Sequence, residues 1–250
     1  MTLQKSKEDF KKKLIKFIEY QKDNKLDTLK SILEDNENCT GDYPTKPKNV
    51  SIDNISAKGE RAFQRAILNG EYSLLNYQEK TDIKKVVWLD LELPVTFNKN
   101  SRRRSIDLIG SLNDIPVLCE LKYYENSQTD SPIYAILELL MYHYLIQCNY
   151  KKLDKYNVHH AFPMKKFKWY TIVENENSQL LIVANKKYWD FWFKKISKEE
   201  LLKNTFSLGR VLNANIHLFE TQDEDYIEQK GKQTTYKPTV SSNNWTEINV

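Results

Sequence analysis

The chain has 250 residues, a formal net charge of +4, 40% hydrophobic and 29% charged residues, and only 6 glycines and 7 prolines. Such a length buries a sizeable core without staples, and apolar runs such as Val86 to Val95 and Ile133 to Ile146 exclude a disordered, collagen-like or linker-like chain. Three scattered cysteines (Cys39, Cys119, Cys148), no apolar signal core and no run long enough to span a bilayer lead us to expect a soluble, cytoplasmic protein with reduced thiols and no membrane partner.

Phe10, Leu14, Ile15 and Ile18 make one apolar stripe among lysines, which predicts helix within residues 4–34, with a second helix over Lys25 to Leu33. Residues 35–55 are polar and carry Gly41, Pro44 and Pro47, a loop that closes an N-terminal helical extension over residues 1–55. Ser56 is positioned to cap the next helix, whose apolar face holds Phe63, Ala66 and Ile67 and whose first turns place Glu60 on that same side. Strands are predicted over Val86 to Phe97, Ser105 to Leu112 and Pro116 to Tyr124. Ser131-Pro132 opens a helix reaching about Gln147. Trp169 to Val173 and Leu180 to Ala184 read as strands, and Tyr188 to Ile196 as a helix whose Trp189, Phe191, Trp192 and Phe193 pack in the core. Ser197 and Glu200 have capping-box spacing, Ile216 to Phe219 reads as a last strand, and residues 221–250 as a polar tail. The main domain is then 56–220, an α/β fold with a mixed central sheet flanked by helices.

The chemistry concentrates in two adjacent strands. Asn113-Asp114 is a good hairpin turn. Counted outward from it, Asp107 and Glu120 stand at equal distance and so face one another, and Lys122 falls on the same side of the sheet. Two carboxylates facing each other repel, while their neighbours Ile106, Leu108, Leu118 and Leu121 are apolar. A bound cation removes that conflict, and Mg²⁺ suits a site with few carboxylates, retained waters and phosphate oxygens. The bland alternatives are a solvated cross-strand ion cluster for these three residues and a helix-dipole acid for Glu60. Asp90 and Glu92 alternate on the preceding strand and are reserve ligands.

Three basic clusters stand out: Lys11-Lys12-Lys13, Arg102-Arg103-Arg104, and Lys165-Lys166 followed by Lys168. Arg102, Arg103 and Arg104 lead straight into the Asp107 strand, where they either grip phosphates or form a solvated strand entry. The lysines of the first helix read as plain solubility. His159-His160 has no ligand set around it, and the chain has no glycine-rich phosphate loop.

Asp107 followed by Glu120-Leu121-Lys122, in the order helix, three strands, helix, strand, resembles the PD-(D/E)XK nuclease superfamily over roughly residues 56–195. Ile106 stands where the family's nominal proline would be, and Glu138-Leu139-Leu140-Met141-Tyr142 is only a loose match to its Gln-x-x-x-Tyr, so neither Glu138 nor Tyr142 receives a role. The resemblance implies a restriction-endonuclease-like αβββαβ core. Asp107, Glu120, Lys122 and Glu60 would be catalytic, and Asp107, Glu120, Glu60 and the Leu121 carbonyl would hold Mg²⁺, with Mn²⁺ as a substitute. It implies a deoxyribonuclease, an endonuclease of host defence by restriction or of repair, with DNA as partner and a homodimer or a larger defence or repair complex as its assembly. The competing reading is a catalytically inactive nucleic-acid-binding or regulatory module on the same fold, against which the intact triad argues.

Overall fold

Asn113 and Asp114 both take positive φ, 48° and 67°, the left-handed pair that a two-residue hairpin turn with matching strand twist requires. The turn joins β3 (Ser105–Leu112) to β4 (Ile115–Lys122), and the antiparallel register runs from Leu112↔Ile115 to Leu108↔Cys119, as counted from the turn. The computed structural model describes residues 3–21, 24–36, 59–77, 82–95, 104–124, 129–156, 172–173, 178–221, 228–230, 233–235 and 244–249.

Around this hairpin the elements are α1 (Leu3–Gln21), α2 (Asn24–Asn36), α3 (Glu60–Asn69), β1 (Tyr72–Tyr77) and β2 (Asp82–Pro94) before it. After it come α4 (Pro132–Tyr156), β5 (Gln179–Asn185), α5 (Lys186–Trp192), α6 (Lys198–Leu212), β6 (Asn215–Thr221), a small ribbon of β7 (Glu228–Lys230) and β8 (Gln233–Thr235), and β9 (Asn244–Glu247). Helix α3 begins at Gly59, whose φ of 58° favours glycine; Ser56, expected as its cap, lies outside the described residues. Ser197 does cap α6, accepting the Glu200 N–H at 3.2 Å. The strand expected over Trp169 to Val173 is helical at Ile172 and Val173 and otherwise falls outside the described residues.

The expected open mixed sheet with a restriction-endonuclease-like αβββαβ core is corrected by the sheet itself, which closes into a barrel in the order β1-β2-β3-β4-β5-β6-β9. Strands β2, β3 and β4 are antiparallel neighbours, and β4, β5 and β6 run parallel. Closure comes from two strands that the sequence pattern did not announce. Strand β1 pairs antiparallel with β2, and β9, within the segment read as polar tail, pairs parallel with β1 and antiparallel with β6. A closed ring leaves no unpaired edge. The curvature has a local source in β2, where the register shifts between Trp88 and Asp90 and Glu92 takes a φ of 48°.

Two cores lie on opposite faces. One joins Phe63, Ala66 and Ile67 of α3 to residues of every barrel strand, including Leu75, Trp88, Leu108, Cys119, Leu181, Phe219 and Trp245. Gly110 keeps this face open for Trp88, since a Cβ there would lie 2.9 Å from the indole and 2.8 Å from Val86 Cγ1. The other face is covered by α4, on which α1 and α2 lay Phe10, Leu14, Ile18, Leu26, Leu29 and Leu33. The apolar stripe read from the sequence is therefore the inner face of α1, and this helical pair shares its core with α4. Among the described residues no helix is long and apolar enough to cross a membrane.

Candidate active site

Strand β4 divides its side chains between the two cores. Val117, Cys119 and Leu121 join the α3 side, and Leu118 joins the α4 side. Glu120 and Lys122 alternate with Cys119 and Leu121 and reach toward α4, where Lys122 Nζ lies 3.6 Å from Glu138 Oε2. Both are buried, with 4% and 6% of their surface exposed. Burial of an acid and a base on one strand is tolerated only where they are paired, and Lys122 Nζ donates to Glu120 Oε1 at 2.7 Å. The other oxygen, Glu120 Oε2, is buried and has no hydrogen-bond partner.

Asp107 stands one step beyond the last paired residues of β3 and β4, with Glu92 of β2 opposite it between the pairs Leu91↔Leu108 and Leu93↔Ile106. Here side chains take over from the ladder. Asp107 Oδ2 accepts the Leu121 N–H at 2.7 Å, and the Asp107 carbonyl accepts Gln64 Nε2 at 2.8 Å. Gln64 belongs to α3, four residues after Glu60 and so on the same helical face. Glu60 Oε2 accepts the Tyr123 N–H at 3.2 Å, just beyond the end of β4. Asn185 clamps the next residue, accepting the Tyr124 N–H and donating to the Tyr124 carbonyl, each at 3.0 Å. The same amide oxygen caps α5, so the exit of β4 is tied to the β5–α5 junction.

On the α4 side Glu138 and Tyr142 are one turn apart and buried. Tyr142 donates to Glu138 Oε1 at 2.7 Å, and Arg104, at the entry of β3, places a guanidinium nitrogen 3.4 Å from that oxygen.

Four carboxyl groups, those of Glu60, Asp107, Glu120 and Glu138, thus act on the single ammonium of Lys122. Burial, then the neighbouring Glu60, pushes Asp107 up to about 8, against the pull of Lys122 and the Leu121 N–H. Burial, then Asp107, pushes Glu120 well above the carboxylate range. Glu60 keeps an exposed surface, yet its carboxyl end is walled by protein, and this loss of water raises it despite Lys122 and the Tyr123 N–H. Burial works against the charge of Lys122, but Glu120, then Glu60, Glu138 and Asp107, outweigh it and hold the ammonium well above its ordinary range. Burial and nearby acids thus push Asp107, Glu120 and Glu60 upward together, and the Lys122 ammonium opposes all three shifts.

The structure therefore brings Asp107, Glu120, Lys122 and Glu60 together from β3, β4 and α3. Leu121, between the two β4 residues, contributes its N–H to Asp107. The oxygen donors at hand for a divalent cation are the Asp107, Glu120 and Glu60 carboxylates, and the orphaned Glu120 Oε2 is the donor in need of a partner. Among the described residues no three acid, histidine or cysteine side chains are grouped so as to hold a metal ion. Asp90 is buried and turns its Oδ1 onto the Leu91 N–H, a local backbone role. Arg104 is engaged with Glu138, while Arg102, Arg103, His159, His160 and the Lys165 to Lys168 segment lie outside the described residues. Trp189 is core, as expected, its indole N–H on the Phe219 carbonyl at 3.0 Å. Sequence reasoning assigned no role to Glu138, Tyr142 or Gln64. Their signals were a Glu and a Tyr at helical spacing in an otherwise apolar run, and an amide one turn after Glu60. Compared with protein-family models, with curated proteins and with solved structures, the chain matches none.

Proposed function

We propose that this protein is a divalent-metal-dependent nuclease that hydrolyses phosphodiester bonds in DNA. The observation that carries the reading is Glu120: one oxygen held by Lys122 at 2.7 Å, the other buried without a partner. An unsatisfied buried carboxylate oxygen is costly, and it is accounted for where a cation completes it. The motif resemblance of Asp107 and Glu120-Leu121-Lys122 to PD-(D/E)XK nucleases supports the same chemistry, although the closed barrel departs from the fold that resemblance implied.

Asp107 and Glu120 would hold Mg²⁺ or Mn²⁺, with Glu60 and the Leu121 carbonyl completing its shell or holding its waters. Bound there, the ion acidifies a water and offsets phosphate charge. Lys122, fixed at the end of β4, orients the attacking water and stabilises negative charge developing on the phosphate. Gln64 and the Leu121 N–H keep Asp107 in place on its distorted stretch of β3. Arg102 and Arg103 precede that strand in the sequence and would contact backbone phosphates. The protein would act in the cytoplasm, in host defence or repair.

Incubation with linear, circular and single-stranded DNA, with Mg²⁺, with Mn²⁺ and with a chelator, tests the reading. Cleavage that requires the ion is expected, and cutting of circular DNA identifies an endonuclease. No cleavage of any form, or cleavage unaffected by chelation, rejects it; DNA binding without turnover would instead favour the inactive module.

A further inference from the structure

Glu138 is the one acid of the cluster supplied by α4, and its two oxygens have separate partners. Oε1 is fixed by Tyr142 at 2.7 Å and Arg104 at 3.4 Å. Oε2 lies 3.6 Å from Lys122 Nζ, whose nearer partner is Glu120 Oε1 at 2.7 Å. Lys122 is thus suspended between two carboxylates, one on its own strand and one on the facing helix. We infer that Glu138 is a positioning residue that takes the Lys122 ammonium over from Glu120 when Glu120 accepts a divalent cation. The inference rests on the nuclease reading above and adds to it the residue that makes the two charges compatible.

Electrostatics demands such a transfer. A cation on Glu120 Oε2 would share one carboxylate with the ammonium, which sits 2.7 Å from Oε1, and the two like charges repel one another. Lys122 is 8% exposed at its side chain and cannot swing into water. It needs a buried anion that the incoming ion leaves free, and Glu138 Oε2 is the one already in reach. Tyr142 and Arg104 keep that anion from following the ammonium or the cation, because they hold its other oxygen. With a neutral side chain at this position Lys122 would stay on Glu120 Oε1, and its charge would oppose an ion on Oε2.

The test is a Mn²⁺ titration followed by electron paramagnetic resonance on the full chain, for the parent, Glu138→Gln, Lys122→Met and the double variant, with thermal melts of each. Glu138→Gln should weaken Mn²⁺ binding about 10- to 100-fold, the usual scale for a residue behind a metal ligand. Lys122→Met should tighten it, and adding Glu138→Gln to Lys122→Met should change nothing, since Glu138 acts through the lysine. Glu138→Asp, which keeps the charge, should lose less than Glu138→Gln, and Glu138→Ala, expected to lose as much as Glu138→Gln, serves if the glutamine variant does not fold. An equal loss with and without Lys122, or no loss at all, overturns the inference while leaving the nuclease reading standing. A parent that binds no Mn²⁺ overturns both.

Discussion

Asp107 Oδ2 accepts the backbone N–H of Leu121 at 2.7 Å, so the side chain of the candidate metal ligand also replaces a bond of the sheet ladder. Two roles on one residue separate by substitution. Asp107→Asn keeps an acceptor for Leu121 and resembles the protonated acid, so it should unfold in urea near the parent midpoint. Asp107→Ala leaves that N–H unsatisfied and should cost about 1–3 kcal/mol. Both should lose cleavage. Equal stability of the alanine and asparagine variants would show that the hydrogen bond contributes nothing.

The raised acids make a prediction about pH. A carboxyl held higher in the folded than in the unfolded state stabilises the fold at low pH, and that contribution is lost as pH rises through its folded value. For Asp107 the window runs from its ordinary 3.8 up to about 8, with Glu120 and Glu60 shifted in the same direction. In chelator the unfolding free energy should therefore fall from about pH 4 to about pH 8. Mg²⁺ should restore it, more strongly at the upper end, because ion and proton compete for the same oxygens. A metal-free stability that is flat or rising over this window contradicts the electrostatic account.

Ring closure has its own test in Trp245. This fully buried side chain of β9 lies against Trp88 of β2, with ring centroids 5.5 Å apart, and β9 bridges β1 and β6. Trp245→Ala should cost about 3–5 kcal/mol, measured by denaturant unfolding. A loss within about 0.5 kcal/mol, the scale of an ordinary surface substitution, would mean that β9 does not seal the barrel.

The hairpin was legible because its signals are local. Asn113-Asp114 sets the turn, and the turn sets the register, which is observed from Leu112↔Ile115 to Leu108↔Cys119; the expected Asp107–Glu120 pair lies one step past it, where Asp107 accepts the Leu121 N–H instead. Glu60 was legible from its place on the apolar side of α3. Closure was not, because β1 is short and mixed in polarity and β9 holds Trp245 as its only fully buried residue. Pairings of such distant segments leave little periodicity to read. Glu138 escaped for a related reason: in a helix apolar nearly all round, a lone acid gains meaning only from Lys122 and Arg104, which reach it from other strands.

The arginines ahead of β3 should act on affinity more than on chemistry. Replacing Arg102 and Arg103 by Ala should weaken DNA binding and lower the slope of log affinity against log salt by about one unit for each phosphate that is no longer neutralised. Saturating DNA should recover most of the turnover. An unchanged affinity and slope would place the nucleic-acid path elsewhere, with α1 and the Lys165 to Lys168 segment next to be tried.

The assignment of the ion to Glu120 is put to the test by cleavage of circular DNA in Mg²⁺, comparing the parent with Glu120→Gln at matched folded concentration. The glutamine keeps an oxygen for Lys122 and the volume of the side chain, and removes only the charge that would hold the ion. Cutting by the parent should stop on chelation and be lost in Glu120→Gln. Equal cutting by both proteins, or none by the parent with either Mg²⁺ or Mn²⁺, would contradict that assignment.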